Sequence, residues 1–138
     1  MNLLINQKDK PTKEILENLK KIDSILKFYQ KHLFSGAEII ITSGWRSPAY
    51  NKKIGGAANS YHCKGLAVDF LVKGYTPEQV YLLLDSVHFG GLERASTWTH
   101  LDLRGKIIRF NDKNIVLASH YDWDKHDKLF HNKGEKNV

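Results

Sequence analysis

The chain has 138 residues, 41% of them hydrophobic and 26% charged, with a formal net charge of +6, seven histidines and one cysteine. Such a chain is long enough to bury a core unaided and too apolar to be disordered or fibrous. A lone Cys63 excludes an internal disulfide and a cysteine-rich zinc site, so any metal here would take nitrogen and oxygen ligands.

At the N-terminus Leu3, Leu4 and Ile5 form a short apolar run without the basic segment, length or cleavage site of a signal peptide. No later stretch approaches the roughly 18 apolar residues of a membrane span. Membrane insertion is therefore not expected, and action outside the cytoplasm would require release by another agent. Ile15, Leu16, Leu19, Ile22, Leu26, Tyr29 and Leu33 recur at three- and four-residue steps, with Lys13, Glu14, Glu17, Lys20, Lys21 and Lys27 filling the other side. This spacing predicts an amphipathic helix from Pro11-Thr12 to near Gly36. Residues 38–42 are β-branched and read as a buried strand. The polar Ser43-Gly44-Trp45-Arg46-Ser47 follows, then a short helix over 48–54 ended by Gly55-Gly56. A second apolar strand over 65–72 is interrupted by a single acid, Asp69.

Thr76-Pro77-Glu78-Gln79 starts a helix, with Thr at the cap, Pro at the first helical position and Gln three residues after the cap. It runs to about Val87. Gly90-Gly91 opens a strand to Ala95, and 98–103 with 107–110 read as a hairpin turning at Arg104-Gly105. From His120 the chain is mostly polar, a short helix or an ordered tail. The order predicts one α+β domain over 1–138, with a core over about 12–112, a polar tail over 120–138 and a mostly antiparallel sheet.

The stretch over 60–69 carries the strongest chemical signal. A histidine, His62, lies in a glycine-flanked loop, and an ionised Asp69 inside an apolar strand costs several kcal/mol unless it is paired or bound to a metal. In Trp98-Thr99-His100-Leu101-Asp102, alternation puts Trp98, His100 and Asp102 on one face and Thr99, Leu101 and Leu103 on the other. His62, Asp69 and His100 together make a set of two histidines and one carboxylate that suits zinc and leaves a fourth position for water.

These three motifs, Ser43-Gly44-Trp45-Arg46-Ser47, then Ser60-x-His62-x-x-Gly65-x-Ala67-x-Asp69, then Trp98-x-His100-x-Asp102, resemble the M15 family of zinc D-Ala-D-Ala carboxypeptidases and related peptidoglycan endopeptidases. The likeness covers about residues 37 to 110 and is nearest to the small members found in bacteriophages and bacteria. It implies the hedgehog/D-Ala-D-Ala-peptidase α+β fold, Zn2+ held by His62, Asp69 and His100, and hydrolysis of peptide bonds in peptidoglycan by metal-activated water. By the same likeness Arg46 would clamp a substrate carboxylate or carbonyl, a task that suits a guanidinium fork, and Ser60 would add a hydrogen bond to substrate. The expected setting is a phage-type enzyme released to the wall or carried in a virion, a monomer whose positive charge favours adsorption to an anionic wall.

One position departs from the family's pattern. Several M15 enzymes carry a catalytic acid three residues before the last zinc ligand, where this chain has Thr97. Asp102 is then the expected general base, with Glu93, on the preceding strand, as its rival; Asp102 has the alternative of orienting a ligand. The departure motivates a second reading, a noncatalytic zinc-binding module that binds wall peptide. Nucleic-acid binding rests on charge alone, because Lys and Arg are scattered and no recognition motif appears. Trp45 and Tyr50 are expected to pack the core, and Trp98 to lie beneath the metal. His120, His126 and His131, with Asp122 and Asp124, are expected in a solvated tail. Cys63 is incidental to the chemistry, with Lys64 expected to lower its pKa.

Overall fold

Thr12 caps the first helix by accepting the Ile15 amide, and α1 (Lys13–His32) buries Leu19, Ile22, Leu26 and Tyr29 along one stripe. The structure, a computed structural model, describes residues 1–4 and 9–131; Ile5 and the last seven residues of the polar tail lie outside the described residues. The chain continues through β1 (Ile39–Ser43), α2 (Pro48–Lys53), a 3-10 turn (Tyr61–Lys64), β2 (Ala67–Val72) and α3 (Pro77–Asp85). Then come β3 (Gly91–Arg94), β4 (Thr99–Asp102), β5 (Ile108–Asn111), β6 (Val116–Leu117) and α4 (Trp123–Phe130). The helix starts at Thr12 and Thr76 are as predicted, the second with its full capping box.

The strands form one sheet in the order β1-β2-β4-β3-β5-β6. Its pairings are antiparallel except for β3 with β5, so the chain is α+β with a mixed sheet. The hairpin expected at Arg104-Gly105 does not form. β4 is enclosed by β2 on one edge and β3 on the other, which leaves no ladder for β5, and β5 crosses to the far edge of β3. The short hairpin is instead β3–β4.

Alternation divides the sheet into two faces. Val68, Phe70 and Val72 of β2, Leu92 of β3 and Leu101 of β4 point into a core completed by Leu19, Ile22 and Leu26 of α1 and Val80 and Leu84 of α3. The intervening positions form a row across the other face, Ser43, Asp69, His100, Glu93 and Phe110, each directly opposite the next. Directly opposed residues on one face are close enough for side chains to meet. The strand order thus brings together residues from five strands.

Besides its ladders to β3 and β6, β5 is held by one buried side chain. Arg109 is fully buried, and its guanidinium donates to the Asp85 carboxylate (2.7 Å) and to the carbonyls of Asp85, His88 and Gly90 (2.8 to 2.9 Å). Burial alone would raise the Asp85 pKa, but hydrogen bonds from Arg109 and His120 bring it below the ordinary carboxylate value. A carboxyl depressed in the folded state stabilises above the unfolded pKa of about 4, and that contribution is lost as the pH falls through the folded value. Arg109→Met is expected to destabilise by about 3–5 kcal/mol, because it strands a buried carboxylate. Urea unfolding at pH 7 measures this, and the difference from wild type narrows in acid.

The C-terminal segment docks on the body of the protein as far as it is described. Phe130 stacks on Phe28 with ring centroids 4.6 Å apart, and the Asp122 amide donates to Ser86 O. His120 Nδ1 lies 2.9 Å from Asp85, and His126 packs on Phe130 and meets the Tyr121 hydroxyl. The segment is thus an ordered helix as far as residue 131, with His120, Asp122, Asp124 and His131 exposed to solvent as expected and His126 half-buried. Leu129 and Phe130 are the residues of α4 that pack against the core, with the His126 ring beside Phe130. Among the described residues no helix is long and apolar enough to cross a membrane.

Candidate metal centre

The 3-10 turn places His62. Ser60 caps it by accepting the His62 amide (3.1 Å), Trp45 Nε1 donates to Cys63 O and the Arg46 amide to His62 O, tying the turn to the 43–47 loop. The His62 ring is buried and its Nδ1 lies 2.8 Å from Gly44 O. A carbonyl only accepts, so Nδ1 carries a proton, and Nε2 is turned toward Asp69 Oδ1, 3.3 Å away.

The sheet places the other two groups. Asp69 and His100 stand opposite each other on β2 and β4, with His100 Nδ1 3.0 Å from Asp69 Oδ1. The far nitrogen of His100, Nε2, is 2.9 Å from Asp102 Oδ2. Asp102 is fully buried behind this ring, and its carboxylate also accepts the Gly91 amide (2.9 Å), the Arg104 amide and both arms of the Arg104 guanidinium (2.8 and 2.6 Å). Gly91 is required there, because a Cβ would collide with the Asp102 carboxylate and Arg104.

His62, Asp69 and His100 each offer one ligand atom, and the three atoms lie within 4.8 Å of one another; among the described residues this is the one such group. The donor set fits a zinc ion: each imidazole has its other nitrogen engaged by an oxygen, His62 by Gly44 and His100 by Asp102, the arrangement that fixes tautomer and ring direction in metal-binding histidines. Burial would raise the Asp69 pKa, yet hydrogen bonds from His100 and His62 hold it well below the usual carboxylate range. Burial would lower that of His100, but hydrogen bonds to Asp102 and Asp69 raise it to about 9. Without metal, His100 is therefore an imidazolium held between two carboxylates at neutral pH. A metal must displace that proton, so its apparent affinity is expected to rise about tenfold per pH unit from 6 to 8 and to level off above 9. Chelator competition across that range measures it; an ordinary histidine of pKa 6.5 would give a plateau from near neutrality.

The remaining residues named from sequence fall in distinct places. Arg46 Nη2 stands 3.8 Å from Asp69 Oδ2, its guanidinium braced by Ser43 Oγ and Asn51 Oδ1. Ser60 is at the site's edge with its hydroxyl engaged as the turn's cap. Glu93 faces His100 from β3, half-buried, and its carboxylate takes part in no hydrogen bond or ion pair among the described residues. Burial first, then Asp69 and Asp112, raise its pKa against the lowering effect of His100. Both oxygens of Asp102, the expected base, are engaged by His100, Arg104 and Gly91. Thr97 lies exposed in the loop before β4.

Two expectations are corrected. Trp98 is 36% exposed, in the loop where strand alternation has not yet begun; the ring beside His100 is that of Phe110, centroids 5.7 Å apart. Burial raises the Cys63 thiol pKa, and the cation that opposes it is Arg46, not Lys64, which lies over the Tyr61 ring. Trp45 packs the core as expected, while Arg104 was missed. Its position continues the alternation through His100 and Asp102, the signal that marked it as their neighbour.

Comparison with known proteins adds one match. A family model described as peptidase M15 matches residues 3–102. No curated protein and no solved structure matches the chain significantly.

Proposed function

The chain belongs to the peptidase M15 family, and from that premise we propose that it is a zinc metallopeptidase that hydrolyses peptide bonds in peptidoglycan stem peptides or cross-links. M15 peptidases are zinc-dependent. The observation that carries the reading is the convergence of His62 Nε2, Asp69 Oδ1 and His100 Nδ1 beside a carboxylate, Glu93, that no other described residue engages. When bound by those three residues, zinc supplies the Lewis acidity that acidifies water and polarises a peptide carbonyl.

The protein's own groups divide the rest of the work. Glu93 takes the proton of the attacking water and returns it to the leaving amine; its raised pKa suits a base that works nearer neutrality than an ordinary carboxylate. Asp102 holds His100 Nε2–H and so fixes the direction of Nδ1, with Arg104 and the Gly91 amide keeping its charge compensated. Arg46, braced by Ser43 and Asn51, offers its fork to a substrate carboxylate or carbonyl. The net charge of +6 draws the protein to an anionic wall polymer, and the fold is read as the hedgehog/D-Ala-D-Ala-peptidase type.

Purified cell-wall sacculi test the reading. The zinc-loaded protein is expected to release new amino groups from them, to stop when a chelator is added and to resume when zinc is restored. Zinc bound at one equivalent with no amino groups released would contradict catalysis and leave a binding module.

A further inference from the structure

A second layer of buried groups stands behind Asp102, and neither the ligand set nor the chemistry proposed above uses it. His88, in the connection between α3 and β3, is completely buried. Its Nε2 lies 2.8 Å from the main-chain carbonyl of Asp102 and its Nδ1 2.9 Å from the hydroxyl of Tyr29 on α1. The carbonyl can only accept, so Nε2 carries a proton, and in the neutral ring Nδ1 accepts from Tyr29. Burial lowers the His88 pKa to about 4, which keeps this neutral form across the working range. The Asp102 carbonyl is pressed against Gly90, where φ is +152° and a Cβ would run into both the carbonyl and the His88 ring.

Asp102 is therefore held at both ends. Gly91 and Arg104 grip its carboxylate, and His88 grips its main chain. The His88 main chain is fixed in turn by Arg109, which donates to His88 O, Gly90 O and Asp85 O. Arg109 comes from β5, outside residues 3–102 that the family model matches.

We propose that His88 is a positioning residue for the metal centre: through its hydrogen bond to the Asp102 carbonyl it sets where the Asp102 carboxylate meets His100, and Arg109 holds His88 in register for that task. The chain of contacts runs Tyr29, His88, Asp102, His100, from the long N-terminal helix to the ligand atom. The proposal rests on the reading of His62, Asp69 and His100 as a zinc site.

Zinc affinity, measured by chelator competition on folded protein, tests it, together with the absorption spectrum of the cobalt-substituted protein. His88→Leu is expected to bind zinc about tenfold more weakly, the lower end for losing an outer partner of a ligand, with altered cobalt bands. His88→Gln, whose amide nitrogen can still donate to the Asp102 carbonyl, is expected to stay within about threefold of wild type. A core truncation elsewhere on α1, Ile22→Ala, is expected to lower the melting temperature while leaving zinc affinity unchanged. A folded His88→Leu protein with wild-type zinc affinity and cobalt spectrum overturns the proposal, as does an equal loss in Ile22→Ala. Should His88→Leu fail to fold, Tyr29→Phe decides: weaker zinc binding supports the relay, and unchanged binding overturns it. Absence of zinc binding by the wild-type protein would instead sink the metal reading itself.

Discussion

Asp69→Asn is expected to lower zinc affinity more than about a hundredfold and to bring peptide hydrolysis below detection. The exchange keeps the volume, so the fold survives, but it removes the one carboxylate in a ligand group whose other members are two imidazoles. The loss exceeds the 10- to 100-fold typical of an outer partner, because Asp69 offers a ligand oxygen itself. Asp69 is also where His62, His100 and Arg46 converge, at 3.3, 3.0 and 3.8 Å. Without its charge, three cationic or proton-bearing groups face one another across the position the metal would take, which further disfavours a divalent ion. Equilibrium dialysis with zinc, alongside circular dichroism to verify folding, checks the outcome; an Asp69→Asn variant that retains a full equivalent of tightly bound zinc would place the metal elsewhere.

Glu93→Gln and Asp102→Asn are expected to fail in different ways. Loss of the base at Glu93 is expected to cut the catalytic rate by about 10²- to 10⁴-fold while zinc stays bound. It also removes the acidic limb of the pH–rate profile, which the raised pKa of Glu93 places above the ordinary 4.5. Asp102→Asn acts on the metal: an amide cannot hold His100 Nε2–H as the carboxylate does, and Arg104 loses its buried counter-charge. Zinc affinity is then expected to fall 10- to 100-fold, with activity largely recovered at saturating zinc. The assignment rests on occupancy: Asp102 is fully engaged, Glu93 is not. A rate lost in Asp102→Asn at full zinc occupancy, with Glu93→Gln still active, would reverse the two roles.

Much of this site could be read along the chain because its parts are local. His62 and Asp69 lie seven residues apart in one loop and strand, and His100 and Asp102 share a strand face by simple alternation. Helix caps at Thr12 and Thr76 were legible for the same reason. What escaped depends on strand order. Nothing local in 98–110 says that β4 inserts between β2 and β3, an insertion that undoes the expected hairpin. Arg109 carried no role from the sequence and is a fully buried clasp, because its partners Asp85, His88 and Gly90 come from a segment about twenty residues earlier. His126 and Phe130 looked like part of a polar tail; only the partly buried Phe28 of α1 gives them a face to dock on.

The central claim is that the His62, Asp69 and His100 group supports hydrolysis of a wall peptide. Defined muropeptides, monomeric and cross-linked, incubated with zinc-loaded protein and followed by mass spectrometry, test it most directly. The account predicts that a peptide bond is split with uptake of one water, that the split stops with chelator and returns with zinc, and that it is absent in Asp69→Asn. Intact muropeptides after incubation with fully zinc-loaded protein, or cleavage indifferent to chelator, would contradict it.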